Sequence, residues 1–511
     1  MKKITILVAT MLTLSACNRD FLELNPNDRP SSSTFWKTKA DYTLALTACY
    51  GAMQDTYFSS RLPIWDNLTN NSYDQHSYGG SSNIKQGNIT PTNGGFISNI
   101  YENAYNHIAR VNDFLEKLKG FDGLTDSEKT INEAEVRMIR AHFYSYLFRC
   151  YGDVPISDKP LTLETQYQPK KTSDEVYQFI MKDLDFAIAN LPSGTYMANP
   201  GRWTQDAAKA YKARMILYTA YDQAGNAIAS KMTEAQALLN SISGYELAKN
   251  FEDNFLNANQ EKCPEIMMSV KFLAPNNYTQ ADVWYGNWVN VAPLANFLNE
   301  FEMLDESPVT PVEYTGKGIV NTTLFNKKAL AKRDSRLGKT IFIEKYSVNG
   351  VEYTSGNPSH TNIGLAKFLD PTAQVPYDYG TQSQQDWVIM RYADVLLMQA
   401  EIENELGNTS VAKGYIDQVR KRSSMPELPN GLSQSDMRTR VRRERRIELA
   451  FEGLYYFDLK RWKIAKEILN NVKDGLLVYK FEDKHYLWPI PESEIERNKG
   501  ILVQNPDYKQ K

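Results

Sequence analysis

The chain has 511 residues, a formal net charge of −3 and 23 % charged residues. That balance leaves no basic excess for non-specific nucleic-acid binding, and 42 % hydrophobic residues are too many for a wholly disordered chain. Aromatic residues make up 12 % of the chain, with 31 Tyr, and Tyr and Trp serve both in cores and at surfaces that bind sugars or partners.

Lys2 and Lys3 precede an apolar run over 4–14, which is too short to cross a bilayer and has the length of a signal-peptide core. It ends in Leu14-Ser15-Ala16-Cys17, which resembles a bacterial lipobox. By that resemblance residues 1–16 are a lipoprotein signal peptide, and Cys17 is the lipidation site. Residues 17–33 are polar, contain Pro26, Pro30 and three consecutive Ser, and read as a lipidated tether. No later segment reaches 18 uncharged apolar residues, so the mature chain is expected to be tethered rather than spanning. Cys49, Cys150 and Cys263 are odd in number and far apart, unlike a disulfide framework. Cys49 and Cys150 lie in helical patterns and read as buried free thiols. None of the five His has a zinc spacing, so neither metal nor cofactor is expected.

Apolar spacing predicts helices over 41–53, 97–118 and 131–151, the last stopped by Gly152 and Pro155. Thr172 and Glu175 form a capping box for a helix with Val176, Phe179, Ile180, Leu184, Ile188 and Leu191 on one face. Further helices are predicted over 206–221 and 233–242, then a pair over 388–406 and 411–422 joined at Gly407, then a long charged helix over 436–460. In that pair Ala400, Gly407, Ala412, Ile416, Val419 and Pro426 fall near the small, large and terminal positions of a tetratricopeptide (TPR) repeat. Periodicity alone leaves a non-repeat helix bundle open. Residues 59–92, 256–291 and 308–386 break the helical rhythm with Asn, Gly, Pro and aromatics and with short strand-like runs such as 339–346. Loops this long and this aromatic are expected to be functional rather than disordered.

Nine blocks then resemble one family in its own order. They are Phe21-Leu22-Glu23-Leu24-Asn25-Pro26, Phe35-Trp36-Lys37-Thr38, Glu133-Ala134-Glu135 with Arg137 and Arg140-Ala141, and Tyr151-Gly152-Asp153-Val154-Pro155. Arg333-Asp334-Ser335-Arg336-Leu337 and Arg391-Tyr392-Ala393-Asp394 follow, then Glu444-Arg445-Arg446-Ile447-Glu448 running on to Glu452-Gly453 and Phe457-Asp458-Leu459. Pro489-Ile490-Pro491 and Gln504-Asn505-Pro506 close the series. The chain resembles the SusD/RagB-like nutrient-binding outer-membrane lipoproteins. The resemblance implies a mostly α fold: a TPR-like α-superhelix of four helix pairs with a loop-rich irregular part carrying short strands. It implies one SusD-like domain over 34–511, with an N-terminal helical part over 34–245 interrupted by the loop at 59–92. A loop-rich part over 246–386 and a C-terminal helical part and tail over 387–511 complete it. It also implies a lipid-anchored protein facing the exterior that captures an oligosaccharide for a SusC-like TonB-dependent transporter.

The run from Glu444 to Glu452 invites an enzymatic reading, because paired carboxylates hydrolyse glycosides. Four neighbouring Arg (442, 443, 445 and 446) should lower their pKa values, the reverse of what a general acid needs. A structural ion-pair lattice is expected there, and a scaffold role likewise for Arg137, Arg140, Arg391 and Asp394. Gly338-Lys339-Thr340 resembles the end of a P-loop, but Arg333 stands where a Gly is required. No catalytic residues are assigned. Sugar rings need flat aromatics for their C–H faces and polar side chains for their hydroxyls. Two stretches offer that mixture: Trp65, Asn67, Tyr73, His76 and Tyr78, and then Asn276, Tyr278, Trp284, Tyr285 and Trp288. Each aromatic has core packing as its alternative, and Trp284 and Trp288 are the leading candidates. The rival functions are a peptide-binding lipoprotein of the same type of uptake system and, further off, a surface glycoside hydrolase.

Overall fold

The computed structural model describes residues 35–77, 79–314, 330–343, 345–348, 351–354 and 360–509. After a first helix, α1 (Lys39–Ala52), eight helices pack each on the next. They are α2 (Phe96–Lys119), α3 (Asp126–Tyr151), α4 (Ser173–Asn190), α5 (Gln205–Tyr218), α6 (Ala229–Asn240), α7 (Tyr392–Glu405), α8 (Thr409–Arg422) and α9 (Gln434–Glu448). A short helix, α10 (Tyr455–Arg461), follows. The protein is mostly α, and its strands are short. No helix among the described residues is long and apolar enough to cross a membrane.

Local chemistry sets the helix starts. Thr38 with Asp41, Thr125 with Glu128 and Thr172 with Glu175 each form a capping box, so two otherwise orphaned N–H groups find acceptors at each end. On α2 the buried face is the predicted stripe from Ile97 and Ile100 through Ile108 and Val111 to Leu118. At the α7–α8 turn, Ala400, Ala412 and Ile416 pack together with Leu428, Met437 and Val441 of the segments that follow. Small side chains at Ala400 and Ala412 let the helices approach closely.

Between α6 and α7 the chain leaves the helical array. The short strands are β1 (Ser72–Tyr73), β2 (Ile266–Val270), β3 (Ala292–Pro293), β4 (Ile341–Ile343), β5 (Lys345–Val348), β6 (Val351–Thr354), β7 (Ile363–Leu365) and β8 (Trp387–Arg391). Among the described residues they form four antiparallel pairs, β1–β3, β2–β8, β4–β7 and β5–β6. β2 and β8 are buried at every position and bind the start of α7 to the loop-rich part.

The structure corrects three expectations. Residues 388–391 are strand β8, not the first turn of a helix. The helix predicted over 436–460 is two helices, α9 and α10. Arg391 Nη2 donates to the Glu448 carbonyl at 2.7 Å, and Lys367 Nζ donates to the Ala450 carbonyl at 2.8 Å. A continuous helix would need those carbonyls for Glu452 and Leu454, and Phe451 and Gly453 instead take positive φ. Thirdly, the stretch 59–92 is no open loop. It holds a 3-10 helix, Leu62–Leu68, with all seven residues buried, and a short helix, Ser81–Lys85.

Charged side chains are built into the interior. Arg391 is bonded to Glu265, Glu448 and Glu452, Arg336 to Asp334, Glu444 and Glu448, and Arg422 to Glu265 and Glu448. Arg445 pairs with Asp394, Arg461 with Glu401, and Arg140 with Asp183. The scaffold expectation for these motifs agrees with this geometry. Glu444 departs from it in one respect. Burial outweighs its Arg partners and pushes its carboxyl above the usual range, whereas the guanidiniums around Glu448 hold that carboxyl well below it. Cys49, Cys150 and Cys263 are buried free thiols.

Candidate functional site

The two predicted aromatic stretches meet. β1 pairs with β3 in the register Ser72 opposite Pro293 and Tyr73 opposite Ala292. The Tyr285 hydroxyl donates to the Ser60 carbonyl at 2.5 Å, and Asn67 Nδ2 donates to the Asn290 carbonyl at 3.0 Å. The Trp288 carbonyl accepts from Gln75 Nε2 at 3.3 Å and lies 2.8 Å from His76 Nε2. Behind this seam, Gly79 and Gly95 cross so closely that a Cβ on Gly95, at φ +66°, would lie 2.3 Å from the Gly79 carbonyl oxygen.

Trp284 and Trp288 sit on and just after a π-helical turn, Asp282–Asn287. The wider spacing of that turn leaves both rings half-buried on one side. A third segment completes the wall. The Asp282 carboxylate accepts from the Asp370 N–H at 2.8 Å and from Gln385 Nε2 at 3.2 Å. Burial pushes that carboxyl up to about 6. Asn287 Nδ2 donates to the Tyr377 carbonyl at 2.6 Å, and Gln280 Nε2 to the Tyr379 carbonyl at 2.9 Å. Tyr379, 70 % exposed, meets the Trp288 ring edge-on at 5.4 Å. Tyr57, Arg61, Asp74, Trp284, Trp288 and Asn290 line a pocket of about 50 Å³. Room for a few waters makes this a notch for one substituent, with the aromatic surface lying beside it.

Several expected site residues do other work. Trp65 is fully buried and stacks on Trp488, with ring centroids 5.7 Å apart and planes 1° from parallel. Asn67 is buried and holds Asn290 and Ser72. Tyr285 is buried against Trp387. All three are packing residues: the 3-10 helix is buried at every position, and the π-turn buries Tyr285 while Trp284 stays half-buried. Tyr73 and His76 are half-buried and do not line the pocket; His76 meets the Trp288 ring edge-on at 6.5 Å, and Tyr73 faces the His360 ring at 5.3 Å. Asn276 and Tyr278 are exposed on a turn closed by the Leu273–Asn277 bridge and do not line the pocket. Tyr78 and Cys17 lie outside the described residues. Arg61, Tyr57, Asn290 and Tyr379 were not singled out from the sequence. The one usable signal was Tyr57 and Arg61, four residues apart at the edge of the first aromatic stretch.

The Glu444–Glu448 constellation is far less open. Both carboxylates are buried and bonded to Arg336, and neither lines this pocket. Among the described residues no group of three or more His, Cys, Asp or Glu is placed to hold a metal ion.

Comparison with known proteins agrees with this architecture. A profile described as "Starch-binding associating with outer membrane" matches residues 20–217, and the profile of the SusD family matches residues 251–508. A SusD-like protein of Formosa agariphila is 26 % identical over 99 % of each chain. The starch-binding protein SusD of Bacteroides thetaiotaomicron is 22 % identical over 79 % of this chain and 77 % of its own. The solved structure of a SusD-like carbohydrate-binding protein from Bacteroides fragilis superposes with a TM-score of 0.76, at 24 % identity, covering 92 % of this chain and 99 % of the other. Such SusD-like structures have a TPR-like helical fold, as this chain has. The chain therefore belongs to the SusD family.

Proposed function

We propose that this protein is an outer-membrane lipoprotein, anchored through Cys17 and facing the exterior, that binds an oligosaccharide without chemistry. We propose further that residues 34–511 act as one binding domain that hands its cargo to a SusC-like TonB-dependent transporter. The observation that carries the binding role is the aromatic wall of half-buried Trp284 and Trp288 with exposed Tyr379, beside a polar notch. Sugar C–H faces cover such rings, and side-chain amides and Arg take the hydroxyls. The names of the starch-binding and carbohydrate-binding relatives support the same reading.

The notch also speaks against glycoside hydrolysis. A glycosidase sets two carboxyl groups across the bond it cleaves. Among the described residues Asp74 is the one carboxylate lining the notch, and its oxygens accept from the Ser81 hydroxyl and from the His76 and Ser77 N–H groups.

The test is affinity electrophoresis of the chain from residue 18 through gels holding plant, host or microbial polysaccharides, with new reducing ends assayed in the same mixtures. Retardation without cleavage is the expected result. Trp288→Ala and Trp284→Ala should each weaken retention about tenfold, roughly 1.4 kcal/mol, with the fold intact. Unchanged retention in both variants would sink the placement of the site, and cleavage would overturn the binder.

A further inference from the structure

Among the described residues Arg61 is the one cation lining the notch. Among the described residues its guanidinium makes no ion pair and no side-chain hydrogen bond. Its contacts are aromatic: the guanidinium carbon lies 4.8 Å from the Tyr57 ring centroid and 5.5 Å from that of Trp284. This contrasts with the interior of the same protein, where Arg336, Arg391 and Arg422 each hold two or three carboxylates. The neighbouring acid, Asp74, is already committed to Ser81, His76 and Ser77. A half-buried guanidinium gives up part of its hydration, and ring faces return only some of it. Its planar fork stays free to grip an anion with two parallel N–H bonds.

A second unspent group lies in the wall of the notch, just beneath its surface. Asn290 is nine-tenths buried, lines the notch and carries a side-chain carbonyl oxygen with no hydrogen-bond partner among the described residues. A buried acceptor left unpaired costs stability unless a ligand donor meets it. An anionic substituent would satisfy Arg61, and a small turn of the Asn290 amide would bring its oxygen to a hydroxyl on the same sugar ring.

We infer that the cargo is an anionic saccharide, bearing a carboxylate or a sulfate ester, whose anion is held by Arg61 in the notch while Trp284 and Trp288 cover ring faces. The inference rests on the proposed glycan-binding role and narrows it to a chemical class. Lys in place of Arg61 keeps the charge but loses the fork, so charge and geometry separate.

The experiment uses the full chain in detergent and matched polysaccharide pairs. Polygalacturonate is set against its methyl ester, and a sulfated galactan against its desulfated form, with starch and xylan as neutral probes. At least one anionic member is expected to bind ten-fold or more tighter than its uncharged twin, with affinity falling as salt rises. Whichever pair shows this identifies carboxylate or sulfate. Arg61→Gln should erase the difference within the pair, and Arg61→Lys should keep part of it. Should Arg61→Gln melt well below the native protein, the native pair comparison and Arg61→Lys decide the matter. Equal binding within every pair, or discrimination that survives Arg61→Gln, overturns the inference. Binding of neutral probes alone overturns the anionic class and leaves the glycan-binding role standing. Binding of nothing in the panel overturns both.

Discussion

Arg391→Met tests whether the charged lattice is what fixes the join between the helices and the loop-rich part. The Arg391 side chain is 1 % exposed. Nε donates to Glu452 at 2.9 Å, Nη1 to Glu265 and to Glu448 at 2.6 Å each, and Nη2 to the Glu448 carbonyl at 2.7 Å and to Glu452 at 2.8 Å. Charge-assisted bonds at about 1.5–3 kcal/mol each would make this one side chain worth about as much as a typical domain's whole stability, so a simple sum must overshoot. The neighbours set the limit. Glu265 keeps Arg422 at 3.3 Å, Glu448 keeps Arg422 and Arg336, and Glu452 keeps Lys367 at 2.7 Å. What Met leaves behind is a buried cluster one cation short, a loss of about 3–5 kcal/mol. Arg391→Lys restores the charge without the fork and should lose about half as much. Urea unfolding reads this directly, with the midpoint falling and the m-value unchanged. A loss below about 1 kcal/mol, or a Met variant as stable as the native protein, would refute the reasoning.

Acid should unfold the protein through the same lattice. Glu448, Glu452 and Asp394 are held below the usual carboxylate range by the guanidiniums and the ammonium beside them, and Glu401 is held at about 2. Groups lowered in the folded state stabilise it fully above their unfolded values, near 4 to 4.5, and lose that contribution as pH falls towards about 2. Glu444, pushed up by burial, acts in the opposite sense. Unfolding followed by circular dichroism is therefore expected between about pH 4.5 and 2, and a native signal unchanged at pH 2 would contradict it. Trp65→Ala should lower stability by about 3–5 kcal/mol, since it empties a stack between Trp488, Phe96 and Phe457; a melting temperature like the native one would return Trp65 to the site. Cys49 and Cys150 are pushed up to about 12 and Cys263 to about 11 by burial, so a thiol reagent at pH 8 should label none of them until urea unfolds the chain. Labelling of the native protein at the rate of a free thiol would show that the core opens.

Much of the helical array was legible in the sequence. The stripe from Ile97 to Leu118, the capping box at Thr172 and Glu175, and the small residues Ala400 and Ala412 each encode their structure within a few turns of chain. The lattice was legible too, because clustered Arg and Glu on a helix with few apolar residues must find partners in other segments. Periodicity could not show that Arg391 and Lys367, more than fifty residues upstream, take the carbonyls that would continue α9, so the break at Phe451 and Gly453 belongs to tertiary structure.

The site divides in the same way. Composition alone marked the two aromatic stretches, and they do meet, across β1 and β3. Which rings turn outward was decided by packing. Trp65 and Trp288 have similar polar neighbours in sequence, yet one lies in a stack with Trp488 and the other half-buried beside Tyr379. Arg61 was one charge among 58 Lys and Arg until the fold set it over Tyr57 and Trp284, without an ion pair among the described residues. Sequence fixes what depends on near neighbours, such as helix period, caps and overall chemistry. Burial and pairing depend on residues hundreds of positions apart, and only the folded chain brings those together.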